Sequence, residues 1–537
     1  MLLATSRAGL FPWLGRAADT ANPIVETTYG RVRGAVSGDV KIFKGIRYGD
    51  TTAGMNRFMP PRKPARWTGT RDALEYGPTA PQTVAVKGNP PPRAVPIYES
   101  QNGSARAEIE SEDCLVLNVC TPALKGGAKR PVFVWLHGGG FSAGSGSGPM
   151  TDGASLAHSL DVVVVTINHR LNVLGFTYLR EQAGSGFASS GAVGMLDIIA
   201  ALEWVRDNIS QFGGDPNLVT IAGQSGGGRK VATLMSMPLA QGLYHRAIIE
   251  SGAILRLPSR DDGTRYSDLL LAELGLKRTQ ARELQSVSLA RLLAANAEVL
   301  KKIDSREPGY TPNSPIVDSK TIPTDPWDPV APALSAKVPL LIGWARTEET
   351  LYERPTPENL ALDEAGLRSR ATKRLAVNPD PLIEAYRKAH PEASPWDLYI
   401  LIATDHPRGA YAREVAKRKA TQGAGAAFLY RFDWETPEGG GHMRSPHTVE
   451  VPFVFNNIAI GGPQISKMPE AYSLAGKVSA SWIAFARSGN PNTPKLPPWP
   501  EYSARTRDTM LFNNECRVEQ DPDRGPRLIM EQVLRLS

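Results

Sequence analysis

Short, strongly apolar runs bounded by glycine or proline recur along the chain and alternate with longer stretches of helical spacing. The clearest runs predict buried strands at Val132–Leu136, Val162–Ile167, Leu218–Ala222, Arg246–Ile249, Pro339–Gly343 and Phe428–Phe432. Between two of them, Met195–Ile209 places apolar residues at helical spacing. Strands that alternate with helices indicate parallel βαβ units, so the pattern predicts a doubly wound α/β sheet. In such sheets, functional sites gather at the carboxyl ends of the strands.

Two helical insertions and a hairpin complete the predicted organisation. Ile24–Thr28 and Arg31–Gly34 alternate like the strands of a small hairpin, so the folded part begins just before them. Charged segments of helical spacing fill residues 255–325 and 355–425, which predicts a helical cap over the sheet. Because no repeat or linker composition interrupts residues 23–537, we expect them to form one domain.

The most informative segment is an apolar strand that runs into a Gly-x-Ser-x-Gly pattern. Val219–Ala222 is followed by Gly223, Ser225 and Gly227 at this spacing, and then by the start of a helix at Arg229–Met235. A nucleophilic serine needs a sharp, strained strand-to-helix turn, and the flanking glycines let neighbouring backbone approach it. The context predicts Ser225 as a nucleophile, and the alternative is an ordinary glycine-rich turn.

A second glycine-rich turn follows an earlier strand. Val132–Leu136 runs directly into His137, Gly138, Gly139 and Gly140. Consecutive glycines let backbone N–H groups point at the oxyanion of a tetrahedral intermediate. The alternative is a phosphate-binding loop, but no Lys-Ser or Lys-Thr pair follows it. The two turns, in this order, favour acyl-transfer chemistry.

Four further segments extend the match to nearly the whole chain, which resembles the type-B carboxylesterase and cholinesterase family of α/β-hydrolases over residues 24–515. The segments are Glu112–Val119, Asn168–Leu171, Phe212–Pro216 and Gly489–Asn492. The resemblance implies an α/β-hydrolase fold, with a mostly parallel central sheet flanked by helices and a helical cap. It also implies that residues 23–537 are a catalytic domain that hydrolyses carboxylic esters.

The resemblance also implies roles for individual residues. Ser225 corresponds to the family's nucleophile, and Gly139, Gly140 and Gly226 correspond to the donors of its oxyanion hole. The family's acid lies a few residues after a strand and its glycine, and Glu348 stands at that position. The order of nucleophile, acid and histidine along the chain is the one expected for this fold.

Two of these positions have alternatives. Glu349 stands where the family has glycine, so Glu349 is a second candidate for the acid. The family's histidine precedes an acidic residue and a Phe-Val-Phe run, as His447 precedes Phe453–Phe455. His442 is a second candidate whose spacing to that run fits less well.

The implied mechanism uses side chains and backbone alone. A Ser–His–Glu triad needs no metal or organic cofactor, and the chain has no metal-ligand spacing such as His-Glu-x-x-His. The predicted function is a serine carboxylesterase that acts on a small-molecule ester. Two alternatives stay open, because a catalytically silent cholinesterase-like binding protein, or an amide or thioester hydrolase, could carry the same triad.

Charge adds a hypothesis about the substrate. The chain has 61 Lys and Arg against 54 Asp and Glu, a net charge of +7, with scattered basic residues and no nucleic-acid motif. Compared with the family, Arg229 and Lys230 add two cations just beyond the nucleophile, and Arg47 adds a third if these side chains line the gorge. They suit an ester that carries carboxylates, such as a polycarboxylate ester of a natural product, on which fumonisin esterases act. Generic short-chain esters are the alternative, and the oligomeric state has no signal in the sequence.

The cysteines and the N-terminus bear on the cellular compartment. Three cysteines make no disulfide framework. In the family, the cysteine that corresponds to Cys114 has a partner, but Ala80 stands near the position where that partner is expected. We therefore expect Cys114 to be a buried apolar side chain, which is more typical of a bacterial than of an animal member of the family. Residues 1–22 begin with an apolar Met1–Ala4 but contain two arginines. They are either a secretion signal, which implies a secreted or periplasmic protein, or an N-terminal segment of a cytoplasmic one. No apolar run approaches the roughly 18 residues that cross a bilayer.

Overall fold

The computed structural model describes residues 22–82, 109–124, 129–303, 313–462 and 464–536. The N-terminal segment thus lies almost entirely outside the described residues, and whether it is a secretion signal stays a prediction. The predicted hairpin follows at once, because Ile24–Thr27 and Gly30–Arg33 pair as antiparallel strands.

Most of the described strands belong to one large sheet. In chain order the strands are β1 (Ile24–Thr27), β2 (Gly30–Arg33), β3 (Ala35–Ser37), β4 (Val40–Arg47), β5 (Thr70–Asp72), β6 (Val116–Thr121), β7 (Arg130–Leu136), β8 (Val163–Ile167), β9 (Gly214–Gln224), β10 (Arg246–Glu250), β11 (Leu340–Ala345), β12 (Ala427–Phe432), β13 (Asp508–Phe512) and β14 (Arg517–Gln520). Eleven of them form a sheet in the order β14-β13-β12-β11-β10-β9-β7-β8-β6-β4-β3, and β1, β2 and β5 form a small separate sheet.

The centre of the large sheet is parallel, and its edges are antiparallel. All pairings from β8 through β7, β9, β10, β11 and β12 to β13 are parallel, whereas β14, β6, β4 and β3 pair antiparallel. Parallel strands need crossover connections and are covered on both faces. Because these strands run in the same direction, their carboxyl ends lie at one edge of the sheet. The turns after β7, β9 and β11 converge at that edge.

Helices cover both faces of the sheet. In chain order the α-helices are α1 (Ala154–Leu160), α2 (Asn172–Phe176), α3 (Arg180–Ala183), α4 (Val193–Asn208), α5 (Gly226–Leu234), α6 (Arg260–Glu273), α7 (Leu289–Lys302), α8 (Thr350–Glu353), α9 (Pro357–Leu360), α10 (Glu364–Leu375), α11 (Asp380–Ala389), α12 (Pro395–Thr404), α13 (Ala410–Gln422), α14 (Val451–Val454), α15 (Pro469–Ser488) and α16 (Arg524–Val533). Along β7, Val132 and Val134 pack into one apolar cluster, whereas Phe133 and Trp135 pack into another on the opposite face. The sheet is thus buried on both sides, as its apolar runs predict.

The two stretches for which a cap is predicted are helical. Residues 255–325 contain α6 and α7, whose apolar sides share a cluster that includes Leu270 and Leu292. Residues 355–425 contain α10 to α13, which share a separate cluster that the C-terminal helix α16 joins through Met530. Each insertion therefore has an apolar core of its own beside the sheet.

One helical run departs from the expectation that no apolar run is long enough to cross a bilayer. Ser185–Phe212, which includes α4, is long and apolar enough to cross a bilayer by length and composition. However, 78% of its most apolar window is buried inside the protein, as in a core helix that packs against a sheet. The run thus belongs to the packing of the fold.

All three cysteines are free, as the sequence predicts for Cys114. Cys114 and Cys120 are buried, and burial raises the pKa of both thiols well above the usual range. Buried neutral thiols behave as small apolar side chains.

Candidate active site

Ser225 lies in a sharp turn between the end of β9 and the start of α5. Its backbone has φ +56° and ψ −120°, a region that a non-glycine residue adopts only under strain of about 1–3 kcal/mol. The Ser225 N–H donates to Glu250 O on the neighbouring strand β10 at 2.8 Å. The strained strand-to-helix turn predicted from the sequence is therefore present, and it holds a half-buried Ser225 at the carboxyl edge of the sheet.

Glycines around this serine leave no room for side chains. A Cβ atom at Gly223 would lie 2.5 Å from the carbonyl carbon of Gly227, and one at Gly227 would lie 1.9 Å from Leu136 O. A Cβ atom at Gly226 would lie 2.1 Å from Gly140 O and 2.4 Å from Gly140 N. Strand β7, the loop after it and the serine turn are thus packed backbone against backbone, which only glycine allows.

The loop after β7 turns beside the serine through two glycines of positive φ. Gly139 has φ +83° and Gly140 has φ +63°, and Gly139 O accepts a hydrogen bond from Ala143 N at 3.0 Å. Within the described part of the chain, the N–H groups of Gly139, Gly140 and Gly226 donate to no acceptor. These three groups next to Ser225 are therefore available to bind an anionic oxygen.

His447 and Glu348 form a buried, hydrogen-bonded pair. His447 Nδ1 is in direct contact with Glu348 Oε2, and Ala345 N donates to Glu348 Oε1 at 2.8 Å. The backbone adds a second link, because His447 N donates to Glu348 O at 3.2 Å. Glu348 follows β11, and His447 precedes α14. A proton on Nδ1 that points at the carboxylate leaves Nε2 as the basic nitrogen.

Burial and nearby charges set the protonation of the pair. Burial lowers the pKa of His447, and the positive charge of Arg408 adds to this, although Glu348 opposes it. Burial alone would raise the pKa of Glu348, but His447 and Arg408 hold it below its usual value. At neutral pH the imidazole is therefore neutral and the carboxylate ionised, which are the states that a general base and its orienting acid require.

Ser225 and the His447–Glu348 pair meet at one edge of the sheet. Among the described residues, the His447 ring forms hydrogen bonds with Glu348 and Gln224 and none with the Ser225 hydroxyl. Gln224 Nε2 lies 3.4 Å from His447 Nδ1 and 3.5 Å from Nε2. Catalytic hydrogen bonds often tighten only when a substrate is bound. Gln224, which directly precedes the serine, thus links the nucleophile turn to the imidazole.

The two alternatives from the sequence lie outside this pair. Glu349 accepts hydrogen bonds from Arg374 at 3.1 Å and from Arg408 at 3.2 Å. His442 is exposed at the end of a short 3₁₀ turn. The geometry therefore favours the buried pair over both.

Two residues beside His447 were not predicted. The ring centroid of Tyr352 lies 5.6 Å from that of His447, and the Arg408 guanidinium lies 5.2 Å from the centroid of Tyr352. Tyr352 is 53% exposed, so it presents an aromatic surface to solvent next to the imidazole. Tyr352 follows β11 and Arg408 comes from the second insertion, so no local pattern in the sequence brings them together.

Arg47 and Lys230, two of the cations in the substrate hypothesis, both have partners within the protein. Arg47 forms an ion pair with Asp113, which neutralises it. Lys230 is fully buried, and its Nζ donates to His137 O at 2.9 Å, so the ammonium faces the protein. The buried contact of Lys230 contradicts the hypothesis that this cation lines the site, whereas for Arg47 the hypothesis stays a prediction.

Arg229, the third cation of the substrate hypothesis, lies just beyond the nucleophile, as the sequence predicts. Its N–H donates to Ser225 O at 3.0 Å, which places Arg229 one helical turn beyond the serine. The residue is half-buried. Burial lowers its pKa to about 10, and the charge of Arg408 adds to the shift. Arg229 and Arg408 thus place two cations close to the His447 side of the site.

Comparisons with known proteins find relatives over nearly the whole chain. The sequence model of the carboxylesterase family matches residues 21–526. Para-nitrobenzyl esterase of Bacillus subtilis (strain 168) is 35% identical over 510 residues, which cover 93% of this chain and 96% of the relative. Fumonisin B1 esterase of Sphingopyxis macrogoltabida is 30% identical over 515 residues, covering 93% and 88%. A crystal structure of a Geobacillus stearothermophilus carboxylesterase matches with a TM-score of 0.80 at 35% identity, covering 94% of this chain and 99% of that one.

Proposed function

Since the chain belongs to the carboxylesterase family and is a carboxylic ester hydrolase, we propose that it works through an acyl-enzyme on Ser225, with His447 as general base and Glu348 as the acid that orients it. The observation that carries the proposal is the buried His447–Glu348 contact at the same sheet edge as the strained Ser225 turn.

The proposed reaction begins with proton transfer. His447 Nε2 removes the proton from the Ser225 hydroxyl, and the serine oxygen attacks the ester carbonyl carbon. Glu348 keeps the other ring nitrogen protonated and stabilises the imidazolium that forms. The imidazolium then gives its proton to the leaving alcohol. A water molecule, activated by the same imidazole, hydrolyses the acyl-enzyme and restores the serine.

The N–H groups of Gly139, Gly140 and Gly226 stabilise the tetrahedral intermediate in this scheme. A negative oxygen forms as the serine attacks, and preorganised backbone donors bind it without reorganisation. Two features support these donors: their N–H groups have no acceptor among the described residues, and the N-terminus of α5 lies beside them. One such donor contributes about 2.7–4 kcal/mol to lowering the barrier.

We propose further that the preferred ester carries a carboxylate near the scissile bond. Arg229 lies one helical turn beyond the serine and adds a positive charge there. Gln224, which contacts the imidazole, is a neutral amide and brings no negative charge to offset it. Arg374 and Arg408 both pair with the carboxylate of Glu349, and the charge of Arg408 also acts on His447. Charges in partly buried surroundings are screened less than exposed ones, so a carboxylate there gains attraction.

The substrate proposal is tested by comparing two esters of one leaving group. The kcat/KM for the mono-p-nitrophenyl ester of succinate is measured against that for p-nitrophenyl butyrate, in the wild type and in Arg229→Met. We expect the wild type to favour the succinate ester by roughly tenfold at low salt, and both added salt and Arg229→Met to reduce this preference. Arg517→Met, at an exposed position on the edge strand β14, is the matched control and should change nothing. Equal specificity of the wild type for the two esters would overturn the proposal.

A further inference from the structure

Lys230 is a buried cation that the proposed mechanism does not use. Its side chain is fully buried on α5, five residues after Ser225, and its Nζ donates to His137 O at 2.9 Å. His137 is the residue that joins β7 to the glycines of the oxyanion loop. The ammonium therefore links the helix that begins at the nucleophile to the base of the loop that faces it.

The surroundings of Lys230 contain other basic groups and no ion-pair partner among the described residues. The rings of His137 and His169 stack with their centroids 5.0 Å apart, and burial and the charge of Lys230 lower the pKa of both. Burial also lowers the pKa of Lys230 itself, to about 7. The carboxyl group of Glu250, on strand β10 beside β9, accepts its hydrogen bond from Trp482 and not from Lys230. An uncompensated buried lysine is costly and is retained where its hydrogen bond or its charge has a use.

A second buried lysine shows what a purely structural contact of this kind looks like. Lys419 is also fully buried, and its Nζ donates to Ser335 O at 2.9 Å and to Ala336 O at 2.6 Å. It lies on α13 and holds a 3₁₀ turn that precedes β11, at the opposite end of that strand from Glu348. Lys419 thus makes the same type of contact away from the reacting atoms.

We propose that Lys230 is a positioning residue of the oxyanion hole, which it holds in place through His137 O. The Nζ–O hydrogen bond fixes the peptide that leads into Gly138, and the next two residues supply the oxyanion donors. At its other end the loop meets the nucleophile turn, because Gly140 packs against Gly226 backbone against backbone, so a shift of the loop disturbs that contact. Without the bond, the buried His137 carbonyl loses its partner, and the loop shifts to find another. This inference rests on the proposed role of Gly139 and Gly140.

The test compares Lys230→Met with Lys419→Met, which removes the other buried ammonium. Steady-state kinetics on p-nitrophenyl butyrate are combined with inhibition by hexyl trifluoromethyl ketone, which adds to the serine and places an oxyanion in the hole. Hexyl methyl ketone serves as the ground-state probe. We expect Lys230→Met to lower kcat and the affinity for the trifluoromethyl ketone by about tenfold or more, because complete loss of one donor costs about 10²–10³-fold. The KM and the affinity for the methyl ketone should change little.

The control and a second variant separate positioning from simple destabilisation. Lys419→Met should lower the thermal stability without changing kcat or the inhibition by either ketone. Lys230→Gln, whose shorter amide can still donate to a carbonyl, should recover part of the kcat, and it replaces Lys230→Met if that variant does not fold. Unchanged kcat and trifluoromethyl ketone affinity in a folded Lys230 variant would overturn the proposal, as would an equal loss in Lys419→Met. A wild type that forms no adduct with the trifluoromethyl ketone would instead contradict the proposed acyl-enzyme mechanism.

Discussion

The two halves of the candidate site are built in different ways. In the nucleophile half, Leu136–Gly140 and Gly223–Lys230, the backbone is packed so closely that added Cβ atoms at Gly226 and Gly227 would lie 2.1 Å and 1.9 Å from carbonyl oxygens. In the acid–base half, Glu348 and His447 are held by hydrogen bonds to side chains and backbone. The glycine turns of the first half thus depend on the absence of side chains, and the acid–base pair depends on the identity of its side chains.

This difference indicates which substitutions each half tolerates. An added methyl group in the nucleophile half displaces backbone, because protein interiors have no spare volume at such contacts. In the acid–base half, an isosteric change keeps the packing and removes only charge or a proton. The predictions below exploit this contrast and run from the largest expected effect to the smallest.

Among the substitutions that compare the two halves, the largest effect is expected from an isosteric change in the acid–base half. Glu348→Gln keeps the shape of the side chain but loses the charge that orients the imidazole, so kcat/KM on p-nitrophenyl butyrate should fall about 10⁴-fold. Glu349→Gln leaves Arg374 and Arg408 without their shared carboxylate, which should lower the melting temperature but change kcat/KM by less than about tenfold. The reverse ranking of the two variants would assign the acid to Glu349.

A smaller effect is expected from one methyl group in the nucleophile half. Gly226→Ala pushes the backbone of Gly140 away and should lower kcat about 10²-fold, comparable with the loss of one oxyanion donor. The KM should change less, because the hole binds the transition state more strongly than the ester. An unchanged kcat would show that the loop moves aside without cost.

The pH dependence probes the link between the halves. In the proposed mechanism the neutral imidazole is the base, so kcat/KM falls as the pH drops through the pKa of His447, which burial lowers below 6.5. Gln224→Glu puts a carboxylate beside the ring, which favours the imidazolium and raises its pKa. The acid limb of the wild-type profile should lie below pH 6.5, and that of the variant should shift to higher pH by about one unit. A shift to lower pH would contradict the contact between Gln224 and His447.

The smallest effect is expected from a glycine outside the site. Gly476, inside α15, has no atom within 4 Å of an added Cβ and no positive φ. Gly476→Ala should therefore raise the free energy of unfolding by about 0.4–1 kcal/mol and leave kcat unchanged. Denaturant titration and steady-state kinetics check both parts, and a loss of stability would mean that the helix has less room there than the structure indicates.

Local sequence pattern predicts the parts of this molecule that local geometry determines. The apolar runs that predict β7 and β9 end in the two glycine-rich turns, and both turns have the positive φ values that glycine or strain permits. The order of serine, acid and histidine follows from the resemblance to the family. The roles of Ser225, Glu348 and His447 remain proposals that the geometry supports.

Contacts between distant segments could not be predicted. Tyr352 and Arg408 reach His447 from two separate parts of the chain, and only the fold brings them together. From the sequence, Lys230 is expected to be a cation that faces the substrate, but its position on α5 turns it towards His137 O. The sequence indicates Gly226 only as a backbone donor, and the close contact with Gly140 that excludes a side chain there is visible only in the fold.

The most direct test of the account is whether Ser225 alone carries the acyl group. Wild type and Ser225→Ala are treated with a fluorophosphonate, digested and analysed by mass spectrometry, and their hydrolysis of p-nitrophenyl butyrate is measured in parallel. The account predicts one label, on the peptide that contains Ser225, and a loss of turnover of about 10⁶-fold in the folded variant. A label on another residue, or turnover that survives the substitution, would contradict it.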